Sequence, residues 1–245
     1  MHNLGFTRSS NRHDHLLQTP DTFVRVPLPG MRNATAITHI GPARGAGFTQ
    51  YTVEFGAGGS FEPGPTQAFL YVIEGEIELT LEGENHQFAA GDYAYLPTNA
   101  RGKTTSSQPA RVAFFEKSEV VMDGPEPIFF SGHESAVAPT PLPGEDGIHV
   151  RTLFPADPVY DFAVNTMIYP IGATLPMVEI HIMEHGLLML EGEGIYRLGD
   201  QWYPVKAGDF VWMAPYCPQW FGALGKTPSK YLIYKDWNRH PLDLE

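Results

Sequence analysis

The chain has 245 residues, of which 42% are hydrophobic and 18% charged, and its formal net charge is −12 at pH 7. This acidic balance argues against a nucleic-acid groove, which needs clustered Lys and Arg. The sequence also contains no run of eighteen apolar residues of the kind that predicts a membrane span. The single cysteine, Cys217, allows no intrachain disulfide, as is usual in a reducing compartment. We therefore expect a cytoplasmic protein that binds neither nucleic acid nor membrane.

Short runs rich in β-branched and aromatic residues recur between Gly and Pro, and long helical periodicity is absent. The runs predicted as strands include FTQYTVEF, FLYVIEG, EIELTLEG, YAYLP and RVAFFEK. This pattern is typical of an all-β sandwich or barrel. It predicts an N-terminal domain over 41–120, a Pro- and Gly-rich linker over 121–150 and a C-terminal domain over 151–245. Residues 1–40 carry no motif, and we expect them to pack on the two domains.

The two domains repeat one sequence pattern. The segment FLYVIEGEIELTLEGENHQFAAGDYAYLP, which begins at residue 69, aligns with GLLMLEGEGIYRLGDQWYPVKAGDFVWMAP, which begins at residue 186. An EGE triplet recurs with glycines at Gly75 and Gly192, and a GD pair recurs at Gly91 and Gly208. The two copies of each landmark are separated by the same number of residues (192 − 75 = 208 − 91 = 117). The sequence therefore predicts two copies of one β-unit whose glycines occupy tight turns with positive φ.

A cluster of acidic and imidazole side chains begins the second copy, in EIHIMEHGLLMLEGEG from residue 179. If this segment is a strand, residues of one parity share a face. Glu179, His181 and His185 are all odd-numbered, whereas Glu184 would point to the opposite side. The strand interpretation therefore brings one carboxylate and two imidazoles together.

A helical interpretation of the same residues competes with this one. The stretch from His181 to His185 formally matches H-x-x-E-H, the signature of inverted zinc proteases. That motif requires a long helix, but Pro176 stands just upstream and Gly186 follows immediately. The aligned first copy is also strand-like, so we reject the helical interpretation.

A fourth metal ligand is expected from the stretch that follows the second GD turn. Gln219 lies there, on a predicted returning strand, and offers a neutral amide oxygen. Together with Glu179, His181 and His185 it gives a mixed nitrogen and oxygen set that suits Mn(II), Fe(II) or Ni(II). The set is too poor in oxygen for calcium and lacks the sulfur or third imidazole common in zinc sites.

The first copy serves as an internal control for this ligand set. The positions 117 residues before the four predicted ligands are Glu62, Gly64, Ala68 and Gly102. Only Glu62 of these could bind a metal. We therefore expect a metal-free, structural N-terminal domain and a metal-binding, catalytic C-terminal domain.

The residues that carry this pattern resemble a variant of the two cupin motifs, with Glu, His and His in the first motif and Gln in place of the last His. The ordering is similar to that of the (S)-ureidoglycine aminohydrolase family, manganese-dependent bicupins of allantoin and purine breakdown. The stretch MAPYCPQWFGALGKTPSKYLIYKDWNRHPL, from residue 213, is especially similar to the C-terminal end of that family. The resemblance covers nearly the whole chain except about the first forty residues. It implies two tandem double-stranded β-helix (jelly-roll) barrels.

The resemblance also implies roles for individual residues. Glu179, His181, His185 and Gln219 would hold Mn(II), and Tyr196, Tyr231 and Lys235 would be the catalytic and substrate-binding residues. Tyr231 and Lys235 share parity on a strand-like run, which independently places them on one face. The implied reaction is hydrolysis of a C–N bond of ureidoglycine, a small linear ureido compound, to ureidoglycolate and ammonia.

Two other functions remain open at this point. A metal-dependent cupin oxidoreductase, such as a dioxygenase or an oxalate decarboxylase, usually has three His and one Glu, and Gln219 in place of His disfavours it. A non-enzymatic ligand-binding cupin is disfavoured by the complete ligand set and by the convergent Lys and Tyr side chains. Exposed sheet edges and paired barrels also predict a homo-oligomer.

Overall fold

The structure is a computed structural model that describes residues 6–98 and 100–239. In these residues the regular structure consists of β-strands and three-residue 3-10 helices, without an α-helix. Within the same residues, no helix has the length and apolar character that a membrane crossing requires. The chain folds into two compact units. The N-terminal unit comprises residues 24–136, and the C-terminal unit comprises the described residues up to 23 and from 137 onward.

The N-terminal unit is an antiparallel sheet around an apolar core. Its strands are β3 (Arg25–Val26), β4 (Arg32–Ile40), β5 (Thr49–Phe61), β6 (Gln67–Glu74), β7 (Glu76–Leu81), β8 (Glu84–Ala89), β9 (Asp92–Leu96), β10 (Gly102–Ser106), β11 (Ala110–Lys117) and β12 (Phe130–His133). Short 3-10 helices span Pro42–Arg44 and Glu134–Ala136. The hydrogen-bonded order is β12-β9-β6-β11-β5-β10-β7-β8, with β4 beside β5 and β3 beside β4.

The C-terminal unit has two sheets, and its core lies between them. Its strands are β1 (Ser10–Asn11), β2 (His15–Gln18), β13 (Thr140–Leu142), β14 (Glu145–Thr152), β15 (Phe162–Tyr169), β16 (His185–Glu191), β17 (Glu193–Leu198), β18 (Gln201–Lys206), β19 (Phe210–Met213), β20 (Gln219–Gly222) and β21 (Ser229–Asp236), and a 3-10 helix spans Pro20–Thr22. The larger sheet has the order β1-β2-β19-β16-β21-β15-β14-β13, and the smaller has the order β18-β17-β20.

The predicted internal repeat is confirmed by matching burial patterns. Strands β7 and β17 both begin with an exposed residue and then bury every second residue, and β8 and β18 also share one pattern. The alternation follows from the strand period of two, since one face of each strand packs on a core. The four turn glycines, Gly75, Gly192, Gly91 and Gly208, all have φ between +74° and +91°. The prediction of an all-β chain built from two copies of one β-unit is therefore confirmed.

The two units divide the chain at positions that differ from the predicted linker and N-terminal segment. Residues 6–23 belong to the C-terminal unit, where β2 pairs with β19 and Arg8 forms a bidentate ion pair with the fully buried Asp209. Residues 24–40 instead contribute β3 and β4 to the N-terminal unit. The predicted linker 121–150 contains β12, β13 and the first part of β14. Composition alone does not reveal strand pairing of this kind, because the partner strands lie far away in sequence.

Candidate active site

A cavity of about 290 Å³ opens within the barrel of the C-terminal unit. All seven predicted site residues line this one cavity: Glu179, His181, His185, Tyr196, Gln219, Tyr231 and Lys235. The volume is near the lower end of the range of small-molecule sites, and the lining mixes apolar walls with a few polar groups, as such sites usually do. The cavity is therefore the candidate active site.

The segment that carries the first two predicted ligands is not part of a continuous strand. We expected a strand from residue 179 onward, but β16 begins only at His185. Glu179 instead forms an isolated bridge to Gln219, with reciprocal backbone hydrogen bonds of 2.8 and 3.0 Å. Gln219 belongs to the smaller sheet and His185 to the larger one, so the chain crosses between sheets here. The strand interpretation was wrong for residues 179–184, because one straight strand cannot pair with both sheets.

The two imidazoles nevertheless point at each other. His181 Nε2 lies 3.3 Å from His185 Nε2, and Gln219 Nε2 lies 2.7 Å from His181 Nε2. The Asn and Gln amide orientation is an assignment, so the Gln219 oxygen can occupy the same place after a 180° turn of the amide. Three potential ligand groups therefore converge on one point.

The protonation of the imidazoles suits a cation. Burial, with a smaller contribution from His181, lowers the pKa of His185 to about 3, and burial likewise lowers the pKa of His181. Both rings are therefore neutral at pH 7. His185 Nδ1 lies 2.9 Å from the Tyr234 carbonyl oxygen and must donate its proton there. The Nε2 lone pair of His185 then faces His181, which is the arrangement that metal-binding histidines usually have.

Glu179 contributes a half-buried carboxyl group to the same cavity, and burial raises its pKa. Among the described residues, the three donor atoms that lie within 4.8 Å of one another belong to Asp14, His15 and Cys217. Glu179 and the two histidines do not form such a close group. Coordination by Glu179 together with both imidazoles therefore requires its side chain to turn toward them. With that rotation, the donor set fits a metal that accepts mixed nitrogen and oxygen ligands.

The group of Asp14, His15 and Cys217 is satisfied by its own hydrogen bonds. His15 Nδ1 bonds to Asp14 Oδ1 at 2.9 Å, and His15 Nε2 bonds to the Tyr203 hydroxyl at 2.9 Å. Burial raises the pKa of the Cys217 thiol to about 11, so the sulfur is protonated at neutral pH. A metal at this group would have to displace the hydrogen bonds that His15 forms with Asp14 and Tyr203.

Lys235 brings a positive charge to the cavity. It lies directly across from His185 in the pairing of β21 with β16, and its Nζ sits 3.9 Å from the centroid of the Trp237 ring. Burial lowers the pKa of its ammonium group. Among the described residues, no carboxylate forms an ion pair with Lys235. A half-buried ammonium group without an anion favours an anionic ligand.

The predicted tyrosines lie deeper in the barrel. The Tyr231 hydroxyl is 2.6 Å from the Tyr169 hydroxyl and 3.3 Å from the Met167 sulfur. Tyr196 is also fully buried, with its ring 5.4 Å from that of Phe221. Burial raises the pKa of all three phenols well above 10, so they are neutral hydrogen-bonding groups at physiological pH.

Sequence reasoning missed three polar residues of the cavity. Asn165 on β15, Thr152 on β14 and Thr140 on β13 line it, and none lies in a recognisable motif. The signal for Asn165 was present, because it is the only amide in the apolar strand FAVNTMIY and shares parity with the inward-facing Met167 and Tyr169. Glu184, in contrast, points away as predicted and accepts a 2.6 Å hydrogen bond from Trp212 Nε1.

The N-terminal unit lacks the corresponding constellation. The Gly64 amide, at the position aligned with His181, donates a hydrogen bond to the carboxylate of Glu116. At Gly102, aligned with Gln219, an added Cβ would lie 2.6 Å from a Leu96 methyl carbon and 3.0 Å from a Leu79 methyl carbon. A side chain at this position therefore has no space in the present packing.

Comparisons with known proteins agree with this architecture. Residues 42–114 match the family model of the EutQ-like cupin domain, and residues 165–234 match that of the cupin domain. A solved structure described as "Putative Glyoxylate Induced Protein" from Pseudomonas aeruginosa has a TM-score of 0.88 at 32% identity, covering 98% of this chain and 94% of that one. Oxalate decarboxylase from Bacillus subtilis has a TM-score of 0.71 at 11% identity, covering 94% of this chain and 79% of that one, which shows a shared fold alone.

Curated relatives match nearly the whole chain. A protein of Oryza sativa subsp. japonica named "Probable (S)-ureidoglycine aminohydrolase" is 41% identical over 97% of this chain and 78% of its own length. The (S)-ureidoglycine aminohydrolase of Escherichia coli K12 is 30% identical over 91% of this chain and 88% of its own length. With two cupin domains and identities of this size over most of its length, the chain belongs to the (S)-ureidoglycine aminohydrolase family of the cupins.

Proposed function

We propose that this chain hydrolyses (S)-ureidoglycine to (S)-ureidoglycolate and ammonia. Water replaces the amine on the central carbon, and the carboxylate and ureido groups are retained. The observation that supports the proposal most is Lys235, which lines the cavity with the two imidazoles and forms no ion pair with a carboxylate of the described residues. The names of the rice and E. coli relatives support the same reaction.

The proposed metal ligands are Glu179, His181, His185 and Gln219, and the proposed ion is Mn(II). Support comes from the convergence of the two imidazole Nε2 atoms with the Gln219 amide and from the carbonyl that fixes the His185 tautomer. Mn(II) bound there would supply Lewis acidity and would orient the reacting carbon. Fe(II) and Ni(II) suit the same donor set and remain the alternatives.

The chain's own residues would place the substrate. The Lys235 ammonium would bind the substrate carboxylate, since a half-buried cation that lacks an ion-pair partner gains most from a charged acceptor. Tyr231 and Tyr196 would contribute neutral hydroxyl groups deeper in the cavity. The closed barrel walls, lined by Met167, Leu175 and Ile233, would limit the water that reaches the reacting carbon.

One assay distinguishes this reaction from the alternatives. Metal-loaded protein would be incubated with (S)-ureidoglycine generated from allantoate by an allantoate amidohydrolase, while ammonia and dissolved oxygen are followed together. The proposal predicts ammonia release faster than spontaneous decay, with no oxygen uptake. Oxygen uptake would support an oxidoreductase, and binding without turnover would support a ligand-binding cupin. A role in allantoin breakdown, a cytoplasmic location and a homo-oligomeric assembly remain predictions that accompany this proposal.

A further inference from the structure

The cavity lining includes a buried amide oxygen, Oδ1 of Asn165, that has no hydrogen-bond donor among the described residues. Asn165 is 6% exposed, and its Oδ1 atom is buried without a hydrogen bond. Buried amide groups are nearly always satisfied, and an unsatisfied one costs free energy. Turning the amide over would only exchange Oδ1 for Nδ2 at the same place. A ligand with hydrogen-bonding groups would remove this cost.

The position of Asn165 relates it to the proposed carboxylate-binding lysine. On β15 it lies directly across from Ile233 of β21, and Lys235 is the next inward residue of β21. Diagonal neighbours of this kind are about 7–8 Å apart, a separation that one small ligand between the two side chains can span. Asn165 and Lys235 both line the cavity that contains the two imidazoles.

The chemistry of the amide indicates the kind of ligand group that it accepts. A carboxamide presents one acceptor and one N–H donor on the same side, in one plane. A terminal ureido group presents the complementary pair, a carbonyl oxygen and an N–H group, also on one side. Two parallel hydrogen bonds between them would satisfy both groups without any charge.

We propose that Asn165 binds the terminal ureido group of the substrate through these paired hydrogen bonds while Lys235 holds the carboxylate. This inference rests on the proposed function, because ureidoglycine carries both groups on one carbon. Asn165 would then determine specificity. It would favour substrates that end in an unsubstituted ureido group over those with an acyl group of the same shape.

Two stable ligands that lack the α-amine released in the proposed reaction test this assignment by binding alone. N-carbamoylglycine keeps the carboxylate and the ureido group, whereas N-acetylglycine replaces the terminal amino group with a methyl. Calorimetric titration of Mn(II)-loaded wild type should show about ten-fold tighter binding of N-carbamoylglycine, in line with the one neutral hydrogen bond that N-acetylglycine cannot donate to Asn165. Asn165→Leu, which is close in volume but has no polar atoms, should bind the two ligands within about three-fold of each other.

Two further variants keep the test decisive. Thr166→Ser changes the neighbouring residue, which faces the other side of β15, and should retain the wild-type preference. If Asn165→Leu does not fold, Asn165→Ala also removes the acceptor oxygen, and it should also lose most of the preference. Retention of the preference in a folded Asn165 variant, or equal binding of both ligands by wild type, would overturn the assignment of Asn165. Failure of wild type to bind either ligand would overturn the proposed function itself.

Discussion

His185 and Lys235 lie directly opposite each other on β16 and β21, so a neutral imidazole and an ammonium group share one face of the sheet at the cavity. The pairing explains how one barrel can provide both a metal ligand and an anion-binding group. A metal at His181 and His185 would lie next to the ammonium group that is proposed to bind the substrate carboxylate. The carbon that carries the carboxylate would thereby lie near the metal.

The first prediction concerns this lysine. Lys235→Met should lower kcat/KM for ureidoglycine by about 30-fold to several thousand-fold, since losing a buried charge-assisted bond costs about 2–5 kcal/mol. The metal content should be unchanged. Lys226→Met, in an exposed loop of the same unit, is the matched control and should retain wild-type activity. Near-wild-type kcat/KM in Lys235→Met would mean that the carboxylate is bound elsewhere.

The second prediction concerns metal stoichiometry. Protein produced with manganese should contain one Mn(II) per chain, because all four proposed ligands lie in the C-terminal unit. Elemental analysis and electron paramagnetic resonance would measure the content and the signal. The Glu179→Ala/His185→Ala double variant should lose both. Two ions per chain, or an ion retained by the double variant, would contradict the ligand assignment.

The third prediction concerns the division of labour between the units. Glu62 is exposed, and its carboxylate lies 3.9 Å from the Lys103 ammonium nitrogen. Its aligned neighbours, Gly64 and Ala68, have no metal-binding side chains. Glu62→Gln should therefore leave turnover nearly intact, whereas His181→Ala should abolish it, as steady-state kinetics on both variants would show. A large loss in a well-folded Glu62→Gln variant would indicate that the N-terminal unit shares the site.

The fourth prediction concerns the pH dependence of stability. His39 is buried in the unit without the proposed ligands, with Nε2 2.9 Å from the Thr52 hydroxyl, and burial lowers its pKa from 6.5 to about 3. In the unfolded chain His39 is therefore protonated below about pH 6.5, whereas in the folded chain it is protonated only near pH 3. This contribution to stability is fully present above pH 6.5 and is lost as the pH falls from 6.5 toward 3, by at most about 1.4 kcal/mol per pH unit.

Chemical denaturation at several pH values between 7 and 4 would measure this slope. His39→Gln keeps a polar group opposite Thr52 but has no ionisable ring, so its unfolding free energy should fall less steeply with acid. Equal slopes in wild type and variant would show that His39 is not a source of acid sensitivity.

Much of this structure could be predicted from local sequence patterns. The EGE and GD turns need glycines with positive φ, and the alternating strands need one apolar face, so the repeat was visible in the sequence. The start of β16 was not visible, because Glu179 pairs with Gln219 in the other sheet. The bidentate ion pair between Arg8 and Asp209 joins residues about two hundred positions apart, so no local sequence pattern could predict it.

The central claim is that ureidoglycine is hydrolysed at the cavity that His181 and His185 line. The most direct test follows ¹³C-labelled (S)-ureidoglycine by NMR with Mn(II)-loaded wild type and with a folded His181→Ala/His185→Ala variant. Wild type should convert the substrate to ureidoglycolate well above the spontaneous rate, and the variant should not exceed that rate. Wild-type turnover at the spontaneous rate, or full turnover by the variant, would contradict the account.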